Sequence, residues 1–230
     1  MASTSAPDPA IQEILDFWFG MNPQDWFMGG PNQDKIITER FSHLVEKARL
    51  TDELDKAWTS TPAGSLALVL LLDQFTRNIY RVGNHPEPGL SFSGDAKALR
   101  VASQAIAKGY DRQMQKDNAS KMLMGLPFRY FFYIPFMHAE DLAAQVACGA
   151  LYEVMKQELE VSKAKREAEG RAETEEEKQV GEAINAGVDF AKKHLDCILA
   201  VGRFPKRNEP LGREHKEVDK EWLEKYPDGF

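Results

Sequence analysis

The stretch LLLDQFTRNIYR, residues 70–81, sets Asp73, Gln74, Arg77, Asn78 and Arg81 at the end of a strongly apolar run. On a helix, residues three and four apart share a face. Leu70, Asp73, Arg77 and Arg81 then form one stripe, with Gln74 and Asn78 beside it and Leu68, Leu72, Phe75 and Ile79 opposite. Asp73 and Arg77 stand four apart with the acid first, which on an exposed helix is worth only about 0.2–0.5 kcal/mol. That is too little to explain so many polar groups on a buried-looking element. Two readings stand. In one, Asp73 and Arg77 pair with each other and with loop carbonyls, tying helices together. In the other, Arg77 and Arg81 grip an anion, because the planar guanidinium fork holds a carboxylate or phosphate in two parallel bonds.

Two further stretches carry chemistry. MHAEDLAAQ puts His138, Asp141 and Gln145 on one helical face, with Glu140 elsewhere on the turn. His138 titrates near neutrality and is a candidate general acid or base, against the alternative of a hydrogen-bonded core histidine. Glu140 and Asp141 also suit a helix first turn, where the dipole favours negative charge. GRFPKRNEPLGR sets Arg203, Lys206, Arg207 and Arg213 against Glu209, a local +3 in an acidic chain. Its arginines either cap helix C-termini or gather with Arg77 and Arg81 around an anion or around Asp73, Asp95 and Glu140.

Other chemistries lack support. His43, His85, His194 and His215 are scattered, with neither HExxH nor Glu-x-x-His, so no metal is expected. No nucleophile elbow, phosphate loop or dinucleotide fingerprint is present, and no cofactor is expected. Cys148 and Cys197 match no CxxC spacing and read as free thiols; Cys148 lies in an apolar helix, where a thiol is inert. The aromatics Trp18, Phe19, Trp26, Phe27, Phe131, Phe132 and Tyr133 either wall a pocket or fill the core.

The elements that must position these residues are nearly all helical; strand signals are almost absent. Asp8-Pro9 opens a helix to about Gly20, and Ile37, Phe41, Leu44 and Ala48 mark a second. A short helix covers Leu54 to Trp58, and Thr61-Pro62 opens the one that carries residues 70–81. Gly83 to Gly94 is a loop and Asp95 to Lys108 a helix. Pro127 and Pro135 break the aromatic stretch into short helices, with a longer helix starting near His138. Residues 153–182 hold sixteen charged residues, which predicts a charged helical hairpin tip or a flexible insertion. An amphipathic helix from Ala183 to Val201, a turn-rich coil and a terminal helix over EVDKEWLEKY follow. The expectation is an all-α single domain over 1–230 of antiparallel helical hairpins, with no clear 34-residue repeat.

A chain of 230 residues with 43% hydrophobic residues can build a sizeable core. Net charge −7 and a pI near 5.4 argue against a nucleic-acid partner. The run SLALVLLL has eight residues, far short of the roughly 18–20 of a membrane span. The first residues lack a basic segment followed by an apolar one, so no secretory signal is expected. These features predict a cytoplasmic protein without a membrane or nucleic-acid partner.

Taken together, ILDFWFG, RFSHLVEKA, LDKAW, TPAGSLALVLLLDQFTRNIYR, FSGDAKAL, YIPFMHAEDLAAQ and GRFPKRNEPLGR resemble the domain of unknown function 924 family. The resemblance runs from about Ile11 to Arg213 and implies an all-helical, tetratricopeptide-like fold. It maps the family's motif positions onto Asp73, Gln74, Arg77, Asn78, Arg81, Asp95, His138, Glu140, Gln145, Arg203, Arg207, Asn208 and Arg213. Val201 and Lys206 stand where the family has Phe and His, so a role needing that second histidine does not carry over. The leading expectation is a polar pocket for a small anionic or carbonyl-bearing metabolite, with His138 and Asp73 as candidate catalytic residues. Arg77, Asn78, Arg81, Gln74, Glu140, Gln145, Arg203 and Arg207 would bind it. The alternative is a tetratricopeptide-like module for a protein partner, with structural polar motifs. The residues alone assign no enzyme activity.

Overall fold

Asp8 accepts a hydrogen bond from the Ala10 amide, and Pro9 fills the first turn, so α1 (Pro9–Phe19) starts at the expected cap. The computed structural model describes residues 8–227; residues 1–7, on which the expectation about a signal falls, lie outside them. Among the described residues every regular element is helical. The chain divides into two compact units, residues 1–114 and 115–230.

In the first unit, α2 (Asp25–Met28), α3 (Pro31–Leu50) and α4 (Glu53–Trp58) lead to α5 (Pro62–Val69), which Thr61 caps by accepting from the Gly64 amide. The helix then widens into a π-helical segment, Leu70–Phe75, before tightening into α6 (Thr76–Ile79). Every residue from Leu66 to Thr76 is buried. The expected split of residues 70–81 into a polar and an apolar face therefore does not hold over its first half. This segment runs through the middle of the unit, with α3, α5 and α7 (Asp95–Ala107) against it, so no side of it meets water. Phe75 anchors the core, its ring 5.4 Å from Trp18 and 5.0 Å from Phe41. Gly94 admits the start of α7: a Cβ there would stand 2.2 Å from the Leu72 carbonyl oxygen.

Helix α8 (Tyr110–Asp117) leads to the second unit. A left-handed turn follows, in which Leu123 and Met124 have φ of 51° and 52°. Short helices α9 (Leu126–Tyr130) and α10 (Ile134–Met137) each carry a proline in the first turn. The long helix begins at Leu142 rather than near His138, because Asp141 is its cap and accepts from the Ala144 amide. That leaves His138 to Asp141 as a connecting link. The long helix α11 (Leu142–Ala168) packs along α12 (Glu175–Val201), and a Thr174–Glu177 capping box starts the latter. The charged run is thus helical on both sides of the turn at 169–174, with Arg166 held 3.1 Å from Glu173. Cys148, Tyr152, Met155, Ile184 and Ala191 fill the seam, and α13 (Glu217–Lys225) packs on the end of α12.

Candidate functional site

The residues singled out from the sequence fall into two sets, one in each unit, and each set has its own geometry.

In the first unit, the π segment carries Asp73 fully into the interior. Its carboxylate accepts from Gln74 Nε2 and lies 3.4 Å from Arg77 Nη1, which also donates to the Asp73 carbonyl. Arg77 Nη2 reaches Asp95 at 3.0 Å. Burial lowers the Arg77 pKa, but the charges of Asp73 and Asp95 outweigh it and the guanidinium titrates above its usual value. One turn on, Arg81 binds Asp34 through two bonds, at 2.5 and 2.8 Å, and Asn78 Nδ2 donates to the same carboxylate at 3.0 Å. Asp34, Asp73 and Asp95 thus hold the two guanidiniums, and the cluster ties α3, the π segment, α6 and α7 together. Asp34 was missed from sequence because it sits 47 residues from Arg81 in an ordinary helix first turn.

In the second unit, Glu140 accepts from Arg213 at 2.6 and 2.9 Å and from the Phe204 amide at 2.7 Å. Burial raises the Glu140 pKa, but these bonds outweigh it and hold the carboxyl below its ordinary value. Arg203 grips the buried Asp219 through both its carboxylate oxygens and donates to the Glu214 carbonyl at 2.8 Å. That pairing, helped by the Lys216 amide, brings Asp219 down to about 2. Gln145 is buried and donates to the carbonyls of Met137 and Ala139, each at 2.7 Å, so it fastens the link between α10 and α11.

Arg207 donates to the His138 carbonyl at 2.9 Å and lies 4.8 Å over the Phe204 ring. The rings of His138 and His194 are 6.5 Å apart, and His194 meets Phe204 edge-on at 5.5 Å. His194, which the sequence did not single out, is pulled down to about 4 by burial, with the charges of His138 and Arg207 adding to the shift. It is therefore a neutral imidazole at physiological pH. Neither thiol is an activated nucleophile: burial pushes Cys148 and Cys197 up to about 12. Among the described residues no group of three or more His, Cys, Asp or Glu side chains has metal-binding geometry, and no helix is long and apolar enough to cross a membrane.

A third feature lies on α11. Ala150, Glu153, Val154, Gln157, Glu158 and Val161 line a shallow, mostly apolar depression of about 530 Å³. The charge-rich composition of this segment hid it from the sequence reading.

A solved protein of unknown function from Agrobacterium tumefaciens has a similar structure, with a TM-score of 0.69 and 29% identity over 94% of this chain and 98% of that one. No curated protein matches. Residues 14–226 match the family described as bacterial protein of unknown function (DUF924), and the chain belongs to that family.

Proposed function

We propose that this protein is a helical docking module for a protein partner, and that its polar motifs hold the scaffold together. The observation that carries this reading is that α11 is apolar on two faces. Ala144, Cys148, Tyr152 and Met155 face the core, while Leu142, Val146, Val154 and Val161 are exposed on the other side. A surface helix whose neighbours all lie on one side needs only one apolar stripe. Supporting it, Arg77, Arg81, Arg203 and Arg213 each have a carboxylate partner inside their own unit. Two buried free thiols fit a reducing compartment, and a cytoplasmic location is part of the proposal. In the test, a photo-crosslinking residue is placed at position 154 or at exposed Leu199 on α12 in cells. The reading expects one discrete adduct from 154 and none from 199. Equal, diffuse labelling at both sites overturns it.

A second reading, a small anionic metabolite, draws on one observation: His194 and Arg207 both meet the Phe204 ring, and the His138 ring lies 6.5 Å from that of His194. Arg207 would fix the anion and His138 transfer a proton. A thermal-shift screen of wild type and Arg207→Ala against phosphate, carboxylates and nucleotides tests it. Stabilisation of wild type that Arg207→Ala loses would favour this reading; no stabilisation by any compound removes it.

A further inference from the structure

His194 on α12 and Arg207 on the coil 203–216 meet one ring, Phe204, at 5.5 and 4.8 Å. His138, on the link before α11, stands 6.5 Å from His194, and Arg207 donates to its carbonyl at 2.9 Å. One permanent cation and two imidazoles thus gather where the link, the coil and α12 meet. Phe204 closes that junction. It is buried with Cys197 and Ile198 of α12, and Trp222 of α13 packs against the same group. Arg203 joins the coil to α13 through both oxygens of Asp219.

The contacts fix where a proton goes. His194 Nδ1 lies 2.8 Å from the Phe190 carbonyl oxygen, so it carries the hydrogen of the neutral ring, and an added proton enters at Nε2. Burial opposes that proton, and the charges of His138 and Arg207 add to the opposition. Glu140 on the link and Asp219 on α13 face Cys197, three residues on from His194. Both are engaged by arginines: burial raises Glu140 but Arg213 outweighs it, and Arg203 brings Asp219 down to about 2. These two acids therefore keep their charge while the histidines titrate. On α11, burial raises Cys148 and Tyr152, which stay neutral, and α10 carries no titratable side chain. We infer that this junction is an acid-operated latch: protons on His138 and His194 set three cations around Phe204 and free the Phe204 ring and α13 from the end of α12. Opening returns His194 to water, where an imidazole binds its proton near pH 6.5. The advantage of the closed state is thus complete above about pH 6.5 and is lost as the pH falls towards 4. Glu140 holds the Phe204 amide and Arg213 throughout, so the opened coil stays tethered and closes again on neutralisation.

The test measures hydrogen-exchange protection of α13 and α5 in the full chain at pH 7 and pH 5, corrected for the intrinsic exchange rate at each pH. Wild type is compared with His194→Gln and with the half-buried His138→Gln, and circular dichroism at pH 7 checks that each variant folds. A His194 pKa of about 4 closed and 6.5 open makes opening about twentyfold easier at pH 5 than at pH 7. The expected result is that fall in α13 protection in wild type, with α5 in the first unit unchanged. His194→Gln should show no fall. His138→Gln should show a smaller one, because His194 then loses one of the charges that oppose its proton. The His138→Gln comparison decides alone if His194→Gln does not fold. Protection of α13 that is the same at both pH values overturns the inference. So does an equal fall in α5, or a fall as large in the folded histidine variants as in wild type.

Discussion

Asp73 has no exposed surface, and Arg77 and Gln74 are among its partners. Arg77→Ala should therefore be costly out of proportion to the pair's net worth, because it takes the nearby guanidinium from a buried carboxylate; about 3–5 kcal/mol is expected in urea denaturation. Asp73→Asn/Arg77→Met removes both charges together and should cost clearly less than the sum of the two single changes. A strictly additive cycle would mean that the two side chains act independently. His194 gives a second prediction at this scale. Its folded pKa, about 4, lies below the value of 6.5 for a free imidazole, so between these pH values the unfolded chain binds a proton that the folded chain does not. The stability that neutral His194 contributes is complete above about pH 6.5 and is lost as the pH falls towards 4, up to about 3 kcal/mol. His194→Gln should flatten the stability profile in that window, as measured by denaturation midpoints at half-unit pH steps.

At the scale of elements, two glycines on the paired long helices make opposite predictions. Gly187 on α12 faces Tyr152 across the seam, and a Cβ there would stand 2.4 Å from the Tyr152 ring. Gly149 on α11 has nothing within 4 Å of that position. Alanine is the better helix former by about 1 kcal/mol, so Gly149→Ala should raise the melting temperature. Gly187→Ala should lower it, since overpacking costs about 1–3 kcal/mol and exceeds the propensity gain. Equal shifts of the same sign would show that the α11–α12 seam is not packed as described. The π segment belongs to this scale too. It places six consecutive buried residues in the first unit, and with the glycine at 94 it brings Asp95 within reach of Arg77.

At the scale of the whole molecule, charge separates the two functional readings. Net charge −7 favours cationic partners by long-range attraction. Raising ionic strength from 0.1 to 1 M shortens the screening length from about 10 Å to about 3 Å. Stopped-flow association of a cationic protein partner should slow several-fold over that range. Its dissociation, governed by short-range contacts, should change much less. A salt-independent association rate would show that the net charge does not steer the partner.

The amino-acid sequence by itself determined the helical class and most helix starts, because these depend on local signals. The aspartate and threonine caps before Pro9 and Pro62, the period of apolar residues in α3 and the lack of alternating β-branched runs each act within a few residues of chain. It also singled out polar residues that the fold pairs, Asp73, Arg77, Arg81, Glu140 and Arg203 among them, since charges beside apolar runs stand out in one dimension. What those charges pair with was decided only by tertiary structure. Asp34 meets Arg81 across 47 positions, Glu140 meets Arg213 across 73, and His194 meets Phe204 only because α12 ends beside the coil that follows it. No local pattern encodes such distances, so the sequence left ion-pair ties and an anion site equally open. The second apolar face of α11 was hidden for the opposite reason. Its residues are local, but whether they are covered depends on what packs against the helix, and that is a property of the folded chain alone.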